Sequence, residues 1–138
     1  MNLSKAFQTR RSHKYNAKRT VIAGESYRSK LESEVHATLK LMERAGKINN
    51  IRREQAIHLT PSITHKLDFL VFDIERGIDI GIEAKGISDG VWSVKKRLYK
   101  DLGPFPIQIW MKKGNRVYMD EEIPAGKYTI QAESDQTP

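Results

Sequence analysis

The sequence predicts a mixed α/β domain in the order α-β-β-β-α-β, with a small mixed sheet flanked by helices. Three observations predict it. Apolar residues recur at helical spacing between residues 27 and 45, extended apolar runs follow between 51 and 85, and a second helical segment at 92–102 precedes another strand. With 138 residues, the chain is long enough for one such domain and too short for two.

The first predicted element is an amphipathic helix over residues 27–45. Ser26 fits its N-cap, and Gly46 fits the position after its last turn. The apolar positions lie three or four residues apart, which forms one stripe on a helix: Tyr27, Leu31, Val35, Leu39 and Met42.

Three strands are predicted next. Asn49-Asn50 indicates a turn, and residues 51–59 become alternating before Pro61. The apolar runs 67–74 and 78–85 flank a turn at 75–77 and predict a hairpin. By the two-residue period of a strand, Glu83 and Lys85 share one face, opposite Ile78, Ile80 and Ile82.

The C-terminal part predicts a helix and a strand. Residues 92–102 fit a helix that turns Val94, Leu98 and Leu102 inward. Residues 106–111 fit a strand, followed by a Gly114-Asn115 turn and residues 116–119.

The charge balance favours a polyanionic partner. Lysine and arginine outnumber aspartate and glutamate by 24 to 17, a net charge of +7. The absence of cysteine excludes disulfides and thiolate zinc sites, and no run approaches the roughly 18–20 apolar residues of a membrane span. We therefore expect an intracellular protein without a membrane partner.

The basic charge is concentrated at the N-terminus. Residues 1–20 are predicted to form a flexible basic arm, 21–131 a single domain, and 132–138 a polar acidic tail. The arm is either a solubilising tail or a contact for nucleic-acid phosphates. The second interpretation makes its basic side chains DNA-binding: Arg10, Arg11, Lys14, Lys18 and Arg19.

Two carboxylates and a lysine lie in the predicted hairpin. Asp68 is embedded in an apolar run, where an unpaired charge is costly, and Glu83 is followed by Lys85 at the end of the next strand. Clustered carboxylates repel one another unless they are protonated or bridged by a cation such as Mg²⁺. The alternative is an ordinary polar face with a Glu83–Lys85 ion pair.

Asp68 followed by Glu83-Ala84-Lys85 resembles the D…(D/E)-x-K core of the PD-(D/E)XK nuclease superfamily, although Leu67 stands where that family often has proline. Upstream, Ser29-Lys30-Leu31-Glu32 resembles the S-x-L-E element of small phage endonucleases, including the endonuclease I type that cuts four-way junctions. Residues 27–86 also resemble a family of small uncharacterised phage proteins of this nuclease type.

This resemblance implies a restriction-endonuclease-like core in a metal-dependent DNA endonuclease that leaves 5′-phosphate ends. It implies that Glu32, Asp68 and Glu83 hold Mg²⁺ together with the Ala84 carbonyl, that Mn²⁺ substitutes, and that Lys85 assists the attacking water. It further implies a phage-encoded enzyme in the host cytoplasm, resembling Holliday junction resolvases and selective for branched or otherwise non-B DNA.

Several candidates have competing interpretations. Glu34 is about 200° from Glu32 around the helix, so only one of them faces the sheet, and Glu32 is better placed beside the apolar stripe. Gln55 is a candidate for supporting the site from the neighbouring strand. His36 and His65 are either within reach of the site or ordinary satisfied histidines.

A basic cluster on the second helix lies close in sequence to Lys85. It is either a solvated helix face or a set of phosphate contacts that position DNA without reading bases. The residues are Lys95, Lys96, Arg97 and Lys100.

Two other functions explain part of the sequence. A non-catalytic DNA-binding module on the same fold would keep the basic arm but has no need of three converging acids. An RNA-binding or ribosome-associated protein explains the net charge but not the buried acids. The sequence leaves open whether the protein is a monomer or a homodimer, whether it nicks DNA or cuts both strands, and which pathway it serves.

Overall fold

The computed structural model describes residues 19–85 and 90–127. Its elements are β1 (Thr20–Ile22), β2 (Glu25–Tyr27), α1 (Lys30–Arg44), β3 (Ile48–Thr60), β4 (Ile63–Asp73), β5 (Ile78–Ala84), α2 (Gly90–Leu102), β6 (Ile107–Lys113) and β7 (Arg116–Ile123). The predicted mixed α/β class is confirmed, and the structure adds an N-terminal hairpin, β1–β2, that the sequence analysis did not predict.

The five-stranded sheet has the order β3-β4-β5-β6-β7. The β4–β5 hairpin is confirmed, and β5–β6 is the parallel pair among antiparallel neighbours, as expected when a helix crosses over between two strands. The last strand continues the predicted 116–119 segment to Ile123. The sheet is therefore mixed, as predicted.

Helix α1 begins later than predicted. Tyr27 belongs to β2, and Ser29 rather than Ser26 is the N-cap, with its Oγ accepting a hydrogen bond from the Glu32 backbone N–H. The predicted end is confirmed, because Gly46 follows the last turn with a φ of 76°. The prediction placed the start too early because Tyr27 lies four residues before Leu31, as in a helical stripe. Tyr27 is buried, however, as part of β2.

Two apolar clusters hold the helices to the sheet. The α1 cluster joins the helix to the central strands, and its buried members are Val35, Leu39, Ile48, Phe69, Val71, Ile80, Ile82 and Trp110. The α2 cluster contains Trp92 and Tyr99 from the helix, with Leu98 packed against it. The predicted inward position of Val94 is wrong, because its side chain is 58% exposed and Trp92 and Tyr99, seven residues apart, form the buried stripe.

The predicted turn at Asn49-Asn50 is wrong. Both residues lie within β3, where Asn50 has a φ of 54° and the register with β4 shifts between Asn49 and Arg52. This geometry is that of a β-bulge. Asn tolerates a positive φ better than most residues, so it is favoured in a bulge as well as in a turn.

The alternation of side chains between the two faces of the sheet is interrupted in β4 at Asp68. His65 and Leu67 lie on the side of the α2 cluster, whereas Phe69 and Val71 belong to the α1 cluster. Strict alternation would put all four on one face. Glu54, which stands between the partners of Leu67 and Phe69 on β3, has a φ of 54°, so the two strands distort together at this position.

Candidate active site

The site lies where β4 and β5 separate. Their pairing ends at Phe69 and Ile82, and beyond that point the Ala84 backbone N–H donates to the Asp68 side chain, 2.8 Å from Oδ2. The Lys85 N–H turns to β6 and donates to the Trp110 carbonyl. The carboxylate of Asp68 therefore fills the gap that opens in the sheet.

Three carboxylates from three elements are buried around this gap. Glu32 on α1, Asp68 on β4 and Glu83 on β5 are each no more than 3% exposed. Burial, together with the nearby charge of Glu83 and to a lesser degree that of Glu32, raises the pKa of Asp68 to about 7, although the Ala84 N–H and Arg28 oppose the shift. The two other carboxylates are thus close enough to Asp68 for their charges to affect its pKa.

Glu32 has two roles in the local structure. It occupies the third position of α1, and its Oε2 accepts a hydrogen bond of 2.7 Å from the Arg28 backbone N–H while Ser29 caps the helix. The S-x-L-E element is thus also a variant of the capping box. Its second oxygen, Oε1, is buried without a hydrogen-bond partner, and Arg53 Nη2 lies 3.6 Å away.

Arg28 is a site residue that the sequence analysis missed. Its Nη2 donates to Asp68 Oδ1, and its Nε lies 3.9 Å from Glu32 Oε2. Burial lowers the pKa of Arg28, but the charges of Asp68, Glu32 and Glu83 together raise it. Among the described residues, no three acidic or histidine side chains converge closely enough to hold one metal ion in this arrangement, and the guanidinium stands between Asp68 and Glu32.

Glu83 and Lys85 share one face of β5, as predicted. Lys85 Nζ is 3.7 Å from Glu83 Oε2 and lies over the Trp92 ring, 4.7 Å from its centroid. His65 Nε2 is 2.9 Å from Glu83 Oε1, and the His65 ring packs against Trp92. The ion pair expected under the polar-face interpretation is thus present, but it is built into a buried cluster.

The two helix glutamates separate as predicted. Glu32 is inside the site, whereas Glu34 points along the sheet to Lys112 on β6, whose Nζ donates to Glu34 Oε1 at 2.9 Å. Glu34 is only partly exposed, because Lys112 covers it in part and its Oε2 is buried without a hydrogen-bond partner. His36 is a satisfied histidine away from the carboxylates, hydrogen-bonded to the Tyr27 hydroxyl.

Residues 12–105 match the family described as "Protein of unknown function (DUF1064)". The chain belongs to this family. The matched region spans β1 to α2 and contains all the carboxylates of the site, Lys85 and Arg28. No curated protein and no solved structure matches the DUF1064 chain.

The donor chemistry of this DUF1064 site fits a divalent cation, although Arg28 and not a third close carboxylate stands beside Asp68 and Glu32 in this arrangement. The carboxylate oxygens are hard donors of the type Mg²⁺ and Mn²⁺ prefer, they carry like charges in a buried place, and Glu32 Oε1 has no hydrogen-bond partner. Ala84 also fits, since an extended residue directs its C=O to the same side as its N–H, which faces Asp68. Gln55 is one strand away and donates to the Arg53 carbonyl.

The basic candidates fall into three groups. Lys96 is engaged with Glu121 on β7 at 2.7 Å, whereas Arg97 and Lys100 on α2 are exposed and Lys95 is partly exposed. Arg19 donates to Ser26 Oγ within the N-terminal hairpin. The remaining arm residues, together with the acidic tail, lie outside the described residues: Arg10, Arg11, Lys14 and Lys18.

Within the described part of the DUF1064 chain, neither helix combines the length and the apolar character that crossing a membrane requires.

Proposed function

We propose that the protein is a divalent-metal-dependent DNA endonuclease that hydrolyses phosphodiester bonds. The observation that carries the proposal is the set of three buried carboxylates, from α1, β4 and β5, at the gap between two diverging strands and beside Lys85. A protein that only bound DNA through basic side chains would have no reason to bury three acids together.

Glu32, Asp68 and Glu83, with the Ala84 carbonyl, are the groups that would hold Mg²⁺, and Mn²⁺ would substitute for it. When bound, the cation supplies Lewis acidity that activates water and offsets charge on the phosphate. His65 holds one oxygen of Glu83 and thereby orients the carboxylate toward the site.

Lys85 is the residue we assign to the attacking water. Its ammonium is partly exposed, is held beside Glu83 and rests on Trp92, so it presents a fixed positive charge at the mouth of the site. Such a group orients water and stabilises negative charge that develops on the phosphate. Hydrolysis on this plan leaves 5′-phosphate ends.

The net charge of +7 supports a nucleic-acid substrate. We propose DNA as that substrate, with selectivity for branched or otherwise non-B forms, and we propose that the enzyme is phage-encoded and acts in the host cytoplasm. These finer assignments rest on the resemblance of the motifs and on the basic arm.

A second candidate function is favoured by Arg28. A guanidinium that bonds to Asp68 and lies close to Glu32 is a counter-ion in its own right, which is the arrangement expected if the fold binds DNA without cutting it. The two functions differ in a direct assay.

The test is cleavage by the purified full chain in Mg²⁺ of supercoiled plasmid, a four-way junction and single-stranded DNA on one gel. Asp68→Asn and Lys85→Ala should each reduce cleavage by roughly 100-fold or more, as for the loss of one group that stabilises transition-state charge. DNA binding in Ca²⁺ should persist in both variants, because most of the phosphate contacts are assigned to basic side chains outside the site.

Lys112→Gln is the matched control for Lys85→Ala, because its ammonium also pairs with a glutamate but lies at Glu34, outside the site. It should cut like the unmodified protein. DNA binding without cleavage of any of the three substrates, in Mg²⁺ and in Mn²⁺, would favour the non-catalytic module. Full cleavage by Asp68→Asn and Lys85→Ala would remove these residues from the site.

A further inference from the structure

Arg28 uses the carboxylate oxygens that a divalent cation would need. Asp68 Oδ2 already accepts the Ala84 N–H, so Oδ1 is the oxygen left for a cation, and Oδ1 is the atom to which Arg28 Nη2 donates. Arg28 Nε also lies 3.9 Å from Glu32 Oε2. A guanidinium and a divalent cation at the same two carboxylates repel each other, so each weakens the binding of the other.

The backbone of Arg28 is fixed, but its side chain is not enclosed. The Arg28 N–H is bound by Glu32 at the start of α1, which anchors the residue beside the site. The side chain is 51% exposed, compared with 5% for the Asp68 side chain that it contacts. The guanidinium can therefore leave the carboxylates by side-chain rotation, without moving the helix.

Arg53, the other arginine near Glu32, is held differently. Its side chain is 23% exposed, its guanidinium stacks on Tyr27 at 4.3 Å, and Nη2 donates to the Ser26 carbonyl. Arg53 is thus fixed in place by contacts that do not involve Asp68. Arg28 alone among the described arginines bonds to the central aspartate.

We propose that Arg28 is an exchangeable counter-ion: it neutralises Asp68 and Glu32 in the DNA-free protein and transfers to a backbone phosphate when DNA binds, which frees the carboxylates for the divalent cation. The proposal rests on the proposed nuclease function and adds its regulation. Guanidinium groups bind both carboxylates and phosphates, and phosphate can accept two of their N–H donors at once, so the exchange replaces the single bond to Asp68 Oδ1 with a phosphate contact.

The exchange makes DNA and the cation bind cooperatively. Each ligand would strengthen the binding of the other by the same factor, since coupling between two sites is reciprocal. The metal site would then be weak until DNA is present, which limits metal loading without substrate.

Calorimetric titration of the full chain with Ca²⁺, alone and with saturating four-way junction DNA, tests the exchange. In the unmodified protein, DNA should tighten Ca²⁺ binding by roughly 5- to 150-fold, the usual range for coupled sites. Arg28→Gln should bind Ca²⁺ more tightly than the unmodified protein without DNA, and DNA should tighten its Ca²⁺ binding by a smaller factor than in the unmodified protein. Arg28→Lys, which keeps a charge but not the paired donors, should be intermediate.

Arg52→Gln is the matched control, because Arg52 also pairs with an aspartate, Asp79, but away from the site. It should titrate like the unmodified protein, and circular dichroism should show that all variants are folded. Ca²⁺ affinity in Arg28→Gln that is equal to or weaker than that of the unmodified protein overturns the proposal. A second outcome overturns the transfer of Arg28 to phosphate: Arg28→Gln binds Ca²⁺ more tightly, but DNA has no effect on Ca²⁺ binding by the unmodified protein.

A failure of the proposed nuclease function can be distinguished from a failure of the Arg28 proposal. It is read from the absence of cleavage in Mg²⁺, whereas the counter-ion role of Arg28 is read from Ca²⁺ affinity alone.

Discussion

The two glutamates at the start of α1 have the same chemistry in two environments. Each has one buried oxygen without a hydrogen-bond partner, but Glu32 is 2% exposed and lies near Asp68, whereas Glu34 is partly exposed and forms an ion pair with Lys112. The difference between them is only their position around the helix.

We therefore expect Glu32→Gln to impair cleavage far more than Glu34→Gln. Loss of a metal ligand raises the barrier of the chemical step, by about 100-fold in rate, whereas the partly exposed pair at Glu34 contributes about 0–1 kcal/mol to stability. Single-turnover cleavage in Mg²⁺ measures the difference, and Mn²⁺ should partly restore Glu32→Gln. Equal rates would mean that the third carboxylate lies elsewhere or comes from a second subunit.

At the residue level, the charged residues of the motif could be predicted from the sequence, but the residues that contact them could not. Glu32, Asp68, Glu83 and Lys85 were found because acids in apolar runs are costly and because their order resembles a known pattern. Arg28 and the supporting residues His65 and Trp92 carry no motif of their own. Strict alternation along β4 would put His65 with Phe69 and Val71, on the face opposite Glu83, and only the face change at Asp68 brings His65 to Glu83.

At the level of elements, the errors share one cause: local spacing does not record what a residue contacts. Tyr27 stands four residues before Leu31 and extends the helical pattern, yet it is buried from β2, where its hydroxyl meets His36 and Arg53 covers its ring. The Asn49-Asn50 pair has turn composition but forms a bulge within β3, because Ile48 is buried and extends the strand. The hairpin β4–β5 was predictable because its turn and both of its apolar runs agree.

The packing of α1 on β2 predicts a pH-dependent stability that involves His36. Burial, aided by the charge of Lys40, lowers the pKa of His36 below its ordinary value of 6.5, although Glu25 opposes the shift. The unfolded chain then binds the proton more readily than the folded protein, so this contribution to the free energy of unfolding is present above pH 6.5 and is lost as the pH falls below it.

Urea denaturation between pH 5 and 7.5 measures this effect as the difference between the unmodified protein and His36→Gln. The unmodified protein should lose its advantage over His36→Gln as the pH falls. His58→Gln is the control, because His58 is exposed on β3, where it contacts Thr64. A difference that is constant over this pH range would show that His36 does not titrate between the two states.

For the molecule as a whole, the basic charge of the sequence is concentrated in positions 1–20, which hold six basic residues and no acidic residue, whereas the acids of the site lie between residues 32 and 83. The basic residues of the domain are partly engaged in ion pairs, such as Lys96 with Glu121 and Arg76 with Glu122. By composition, positions 1–20 carry a net charge of +6, close to the excess of +7 for the whole chain.

Removal of residues 1–18, which retains the Arg19–Ser26 hydrogen bond, should weaken DNA binding and make it less sensitive to salt. Each phosphate contact that is lost should reduce the slope of log K against log [salt] by about 0.9 on duplex DNA. Fluorescence anisotropy over a series of salt concentrations gives the slope. An unchanged slope would assign the segment to solubility instead.

The overall class of the fold was predictable from the alternation of helical and extended segments, and the mixed sheet followed from it. The β1–β2 hairpin was not predictable, because its two three-residue strands are too short to show the two-residue alternation of a strand. The extension of β7 to Ile123 was missed as well, since its middle is exposed and acidic, and only its pairing with β6 makes it a strand.

The crossover between β5 and β6 sets the order in which the molecule is expected to assemble. Strands β3, β4 and β5 are joined by short turns and form a local meander, whereas β6 reaches β5 only after α2 has been traversed. Contacts that are close in sequence form before distant ones. We therefore expect the β4–β5 hairpin to bring Asp68 and Glu83 together by local contacts, whereas the Lys85 N–H reaches the Trp110 carbonyl only across the crossover.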